Sequence, residues 1–173
     1  MATDQELFAL AQRVGRDLLE ARLRLVTAES CTAGWIAKAL TDIAGSSRWF
    51  ECGYVTYSDA AKMRDLGVSA ATIVAHGAVS EQTVREMATG AIRLSGADIG
   101  VAVSGIAGPD GGSPQKPVGT VWLCVARRSG EIFAAVERFP GGREDVRRLT
   151  VERALQMVAD RMGSDISRER RST

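Results

Sequence analysis

The chain has 173 residues, enough for one domain with a sizeable core and too few for two ordinary ones. Its 22 Lys and Arg nearly cancel its 21 Asp and Glu, and no long block of one charge precedes the last few residues, which argues against nucleic acid or an anionic membrane as a partner. No apolar run approaches the roughly 20 residues of a bilayer span, and no charged-then-apolar leader opens the chain, so a soluble, cytoplasmic protein is expected.

Leu7, Leu10, Ala11, Val14 and Leu18 recur at helical spacing with Asp and Arg opposite them, predicting an amphipathic first helix. A strand follows near 24–29 and a helix near 31–43. The aromatic and β-branched stretch Trp49-Phe-Glu-Cys-Gly-Tyr-Val-Thr-Tyr57 reads as a second strand, after which Asp59 can cap a helix holding Lys62. Ser80-Glu-Gln-Thr-Val-Arg-Glu opens another helix with an acidic first turn and a stripe of Val84, Met87, Ala88 and Ala91.

Asp98-Ile-Gly-Val-Ala-Val-Ser104 is short and apolar enough to be a strand buried on both faces. It opens into a glycine- and proline-rich loop over 105–119. Strands near 118–127 and 131–139 are joined at Arg128-Ser-Gly130, close enough for an antiparallel hairpin. A last helix from about 142 to 162 carries Val151, Ala154, Leu155, Val158 and Met162, and the polar stretch 164–173 reads as a disordered tail. Helices alternating with short buried strands predict one α/β domain over 1–163, and the hairpin makes its sheet mixed.

Ligands of such sheets collect at the C-terminal ends of the strands. Three unusual segments fall there: Glu29–Gly34, Tyr57–Lys62 and Ser104–Gly112. In the first, Leu25-Val-Thr-Ala-Glu-Ser-Cys-Thr-Ala-Gly-Trp35, a strand runs into a helix start, where unpaired N–H groups can hold an anion, activate a nucleophile at Ser30, Cys31 or Thr32, or be capped by Ser30 or Thr32. The glycines of the 105–119 loop can bring main-chain N–H groups close to a ligand, or form a plain turn set by Pro109, Pro114 and Pro117. Neither a Walker loop nor a dinucleotide fingerprint is present.

Three dispersed cysteines and one histidine, His76, argue against a disulfide framework, a zinc cage and a Ser-His-Asp relay. Chemistry here falls to hydroxyl, carboxylate, lysine or thiol groups. On local evidence Ser47 is a turn or cap residue and Lys62 a solvated helix residue, unless Lys62 is desolvated enough to act as a neutral base. Arg143, after Pro140-Gly-Gly142, can face solvent or contact an anion.

Taken together, Thr27-Ala-Glu-Ser-Cys-Thr-Ala-Gly34, Asp42-Ile-Ala-Gly-Ser-Ser47, Tyr54-Val-Thr-Tyr-Ser58, His76-Gly-Ala-Val-Ser80, Ser104-Gly-Ile-Ala-Gly-Pro-Asp-Gly-Gly112 and Lys116-Pro-Val-Gly-Thr-Val121 resemble the CinA C-terminal family over about residues 5–162. The N-terminal domain of longer members is absent, so the chain resembles the stand-alone form. The family usually has Gly where this chain has Ala33, a change that matters only if the position needs positive φ.

The resemblance implies a three-layer α/β/α sandwich with a mixed, mainly parallel sheet. It also implies hydrolysis of nicotinamide mononucleotide to nicotinate mononucleotide and ammonia, with no metal and no cofactor. The family's Ser/Lys pair maps its lysine onto Lys62, and both Ser47 and Ser30 match family serines. The expectation taken forward is Ser47 as nucleophile and Tyr57 orienting Lys62. Ser30, Glu29, Thr32, Ser104, Gly105, Gly108 and Arg143 are then expected to hold the substrate or the oxyanion. Two other readings compete: a non-catalytic nucleotide-binding regulatory module, and a thiol mechanism in which the helix start lowers the Cys31 pKa. Whether the chain is a monomer or a homo-oligomer is left open.

Overall fold

The computed structural model describes residues 2–169, with side chains through Met162. Helix α1 (Asp4–Ala21) starts at a capping box between Thr3 and Glu6 and buries Leu7, Ala11, Val14 and Leu18 along one stripe. Next come β1 (Leu25–Glu29), α2 (Trp35–Thr41), a 3-10 turn (Ser46–Arg48), β2 (Phe50–Val55), α3 (Asp59–Leu66), α4 (Ala70–His76) and α5 (Glu81–Ser95). The chain closes with β3 (Ile99–Gly105), β4 (Thr120–Arg127), β5 (Ile132–Arg138) and α6 (Arg143–Glu169).

The five strands form one sheet in the order β2-β1-β3-β4-β5. β1 pairs parallel with β2 and β3, and β4 pairs antiparallel with both β3 and β5, so β4 alone runs against the rest. The sheet is therefore mixed and mainly parallel, as expected. Side-chain alternation divides the core between its two faces. Leu25, Ile99, Val101, Val103, Leu123 and Val125 pack with α1, α2 and α6, while Val26, Ala28, Ala102, Cys124 and Ala126 pack with α5 and with Leu66 of α3. At Gly100 a Cβ would stand 2.7 Å from the Ala88 carbonyl oxygen, which is how α5 lies so close to β3.

Several boundaries differ from the sequence reading, each for a local reason. α2 begins at Trp35 rather than 31 because Ala33 and Gly34 have φ of +52° and +92°, outside the helical region. Ser58, not Asp59, caps α3 by accepting from the Ala61 N–H. α4 was not predicted: it buries none of its residues, so it has no apolar stripe to read. α6 is traced through Glu169, past the predicted end at 162. Of the tail expected at 164–173, the last four residues lie outside the described ones.

Ala33 lacks the freedom that glycine would bring to its positive φ, and its side chain is exposed, so the methyl group gains nothing in packing. Ala33→Gly is expected to stabilise the fold by about 0.5–1 kcal/mol after the entropy cost of glycine, raising Tm by roughly 1–4 °C. A thermal melt of the variant checks this, and an unchanged or lower Tm would mean the turn is not strained.

Candidate active site

β1 stops at Glu29, which is fully buried and aims its carboxylate at the start of α2. Oε2 accepts from Thr32 Oγ1 at 2.7 Å and from the N–H groups of Gly34 and Ile36 at 3.0 Å each, while Oε1 accepts from the Ala37 N–H at 2.8 Å. The donors at this helix start are thus satisfied from within the chain. The Glu29 carboxylate and the Thr32 hydroxyl, both expected to contact substrate, are instead engaged with each other and with the turn into α2.

Ser30 follows directly. Its N–H donates to the Val103 carbonyl at 3.1 Å, tying the exit of β1 to β3, and its side chain is all but buried. Lys62 arrives from the opposite layer. α3 leaves the end of β2 and turns Lys62 inward on the same face as Leu66, one helical turn on, until only 1% of the lysine is exposed. Nζ donates to Ser30 Oγ at 3.0 Å, to the Thr56 carbonyl at 2.9 Å and to the Tyr57 carbonyl at 3.3 Å. None of these partners is a carboxylate. Burial therefore lowers the Lys62 pKa from its ordinary value, with Asp59 and Cys31 opposing the shift.

Tyr57 meets Lys62 through its backbone, and its phenol oxygen instead accepts from Arg143 Nη2 at 3.0 Å. Arg143 Nη1 donates to the Gly108 carbonyl at 2.9 Å, so the first residue of α6 joins the β2 exit to the glycine loop. Ser30, Tyr57, Lys62, Ser104, Gly105, Gly108 and Arg143 all line one open cavity of about 260 Å³. The three strand exits meet here, as the topology requires of a sheet that changes direction at β1. Asp110, from the Ser104–Gly112 segment, and Ala78 and Val79, from the His76–Ser80 motif, complete parts of the wall.

Ser47 is not among these residues. It sits exposed in the 3-10 turn that enters β2, whereas Lys62 follows the exit of that six-residue strand, a separation of roughly 20 Å along the strand axis. The expected Ser47–Lys62 pair is therefore corrected on geometry, and the serine beside the lysine is Ser30. Cys31 lines the cavity, but burial, with Glu29 adding to it, pushes its thiol up to about 11. The lowered pKa expected of a helix-start thiol does not arise, because Glu29 already occupies that helix start. His76 ends α4, and its carbonyl accepts from Lys116 Nζ at 2.7 Å.

Sequence reasoning missed Arg147. Its Nε and Nη2 each donate at 3.0 Å, to the Cys31 and Thr32 carbonyls. An arginine one turn into an amphipathic helix gave no signal distinguishing it from its neighbours. Among the described residues no group of three or more His, Cys, Asp or Glu side chains is arranged to hold a metal ion, and no helix is long and apolar enough to cross a membrane.

Comparison with known proteins agrees with this architecture along almost the whole domain. Residues 7–162 match the model of the CinA C-terminal domain. The chain is 54% identical over 156 residues to the nicotinamide-nucleotide amidohydrolase PncC of Escherichia coli strain K12, covering 90% of this chain and 94% of that protein. It is also 54% identical to the protein of the same name from Pseudomonas putida, covering 84% and 91%. A CinA-like protein of Akkermansia muciniphila is 49% identical over 88% of this chain but only 37% of its own length. Among solved structures, the competence/damage inducible protein CihA of Agrobacterium tumefaciens superposes with a TM-score of 0.87 at 46% identity, covering 91% of this chain and 95% of the other. A CinA superfamily protein of Klebsiella pneumoniae gives 0.88 at 42% identity, covering 91% and 98%. With residues 7–162 matched to the family model and the fold shared with solved members, the chain belongs to the CinA C-terminal domain family.

Proposed function

We propose that this chain hydrolyses the carboxamide of nicotinamide mononucleotide to nicotinate mononucleotide and ammonia, with Ser30 as nucleophile and Lys62 as general base. The observation that carries the proposal is the buried Lys62 Nζ, 3.0 Å from Ser30 Oγ and without a carboxylate partner. Relatives that are 54% identical to this chain over the matched residues and bear the amidohydrolase name support the choice of substrate.

The carbonyls of Thr56 and Tyr57 can only accept, so Nζ must spend two hydrogens on them. In a neutral amine that leaves the lone pair for the Ser30 hydroxyl; in an ammonium it leaves a third hydrogen for Oγ. One geometry thus serves both protonation states. Ser30 Oγ attacks the carboxamide carbon as its proton passes to Nζ, and a tetrahedral oxyanion forms. The C–N bond then breaks as Lys62 returns the proton to nitrogen, ammonia leaves, and an ester on Ser30 remains. Water, deprotonated by Lys62, attacks the ester carbon; the proton returns to Ser30 as the ester breaks, and the acid product ionises. The fixed positive charge of the pyridinium withdraws electrons from the carbonyl and disfavours an ammonium nearby.

Arg143 uses two of its five N–H groups within the protein, leaving three for the ligand phosphate, and the loop from Ser104 to Gly111 supplies close main-chain approach. No step calls for a metal or a cofactor. Purified protein is expected to release ammonia from nicotinamide mononucleotide in the presence of EDTA. Free nicotinamide, lacking the phosphate whose binding orients the amide, should have a kcat/KM lower by about 100-fold or more. Tight nucleotide binding with no ammonia at high protein concentration would favour the regulatory-module reading instead.

A further inference from the structure

The turn between Ser30 and α2 is held from both sides by opposite charges. Glu29 takes the N–H groups of Gly34, Ile36 and Ala37, and Arg147 of α6 takes the carbonyls of Cys31 and Thr32. The Arg147 guanidinium also lies over the Trp35 ring, 5.4 Å from its centroid, so the fork has a fixed platform as well as two acceptors. A turn that carries Ala33 at positive φ persists only where surrounding contacts over-determine it.

Peptide planarity gives this clamp a chemical consequence. With the Cys31 carbonyl turned onto Arg147, the N–H of the same peptide unit, that of Thr32, must point the other way. The preceding unit is fixed too, because the Ser30 carbonyl accepts from the Ala33 N–H at 3.1 Å, orienting the Cys31 N–H. Among the described residues neither the Cys31 nor the Thr32 N–H donates to another main-chain group, and the Cys31 N–H has its own thiol sulfur as neighbour. Cys31 itself lines the cavity beside Ser30. A guanidinium on the Cys31 carbonyl further polarises that amide and strengthens its N–H as a donor.

We propose that Arg147 is a positioning residue for hydrolysis: by clamping the Cys31 and Thr32 carbonyls it presets the main-chain N–H groups next to Ser30 to receive the charge of the tetrahedral oxyanion. The inference rests on the amidase reading above. Arg147 touches no reacting atom, so its effect belongs to the transition state and not to ground-state binding.

The test compares wild type, Arg147→Met and Arg147→Lys in steady-state ammonia release from nicotinamide mononucleotide, with and without guanidinium chloride well below denaturing concentration. Arg147→Met is expected to lose about 100-fold in kcat, with KM changed by no more than about threefold, on the scale of a lost oxyanion donor. Arg147→Lys, able to reach one carbonyl at a time, should fall between the two. Added guanidinium should restore part of kcat in Arg147→Met and none in Ser30→Ala. If Arg147→Met does not fold, Arg147→Lys decides by the same kcat and KM criteria. Full kcat in a folded variant of an active enzyme, or a loss confined to KM, overturns the inference alone. No ammonia from wild type overturns the amidase reading and the inference with it.

Discussion

Ser30→Ala is expected to lower kcat on the order of 10,000-fold while leaving the fold intact, because it removes the hydroxyl that Lys62 Nζ contacts at 3.0 Å. Lys62→Met should be comparably inactive. The double variant should be little worse than either single one, since two members of one catalytic unit fail together rather than additively. Ser47→Ala, a change in an exposed turn at the far end of β2, should retain kcat within about twofold and stability within about 0.5 kcal/mol. Kinetics of these four proteins in one assay decide the assignment. A multiplicative loss in the double variant would separate Ser30 from Lys62, and an inactive but folded Ser47→Ala would return the nucleophile to Ser47.

Lys62→Arg carries the second large effect. Arginine keeps the positive charge but cannot release a proton at working pH, so kcat should fall by about 1,000-fold or more. In the wild type, kcat/KM should rise with pH along one ionisation below the ordinary lysine value of 10.5, because burial favours the neutral amine and the neutral amine is the base. That limb should vanish in Lys62→Arg. The same ionisation governs stability: between the lowered native value and 10.5 the unfolded chain binds more protons than the folded one, so native stability falls as pH drops through that window. Lys62→Met should lose this dependence. Wild-type turnover in Lys62→Arg, or an unchanged rising limb, would remove lysine as the base.

Much of this was legible in the residues because binary patterning and strand-exit chemistry are local properties. The stripes of α1, α5 and α6, the fully buried β1 and β3, and the β4–β5 hairpin follow from apolar spacing and from glycine at position 130, with φ of +106°. The convergence of three strand exits followed from topology. The serine that lies beside Lys62 did not, because that depends on which lysine folds against it, and Ser30 and Lys62 are 32 residues apart. One sequence cue pointed inward: Leu66, one turn beyond Lys62, is fully buried, so Lys62 shares an apolar face. Glu29 was misread for the opposite reason. A carboxylate ahead of a helix start is a cap as readily as a ligand contact, and only the four donors it accepts decide between them. Arg147, acting across 116 residues, had no local signature.

The central claim, that Ser30 is the activated nucleophile, is tested most directly by labelling with a fluorophosphonate, which bonds covalently to activated serine hydroxyls, followed by peptide mass mapping. Trypsin places Ser30 and Cys31 on Leu25–Lys38, and Ser46 and Ser47 on Ala39–Arg48, so the two candidate serines separate cleanly. The expected result is a single adduct on Leu25–Lys38 at Ser30, blocked by excess nicotinamide mononucleotide and absent from Lys62→Arg. An adduct on Ala39–Arg48, or one on Leu25–Lys38 that survives in Ser30→Ala, would contradict it.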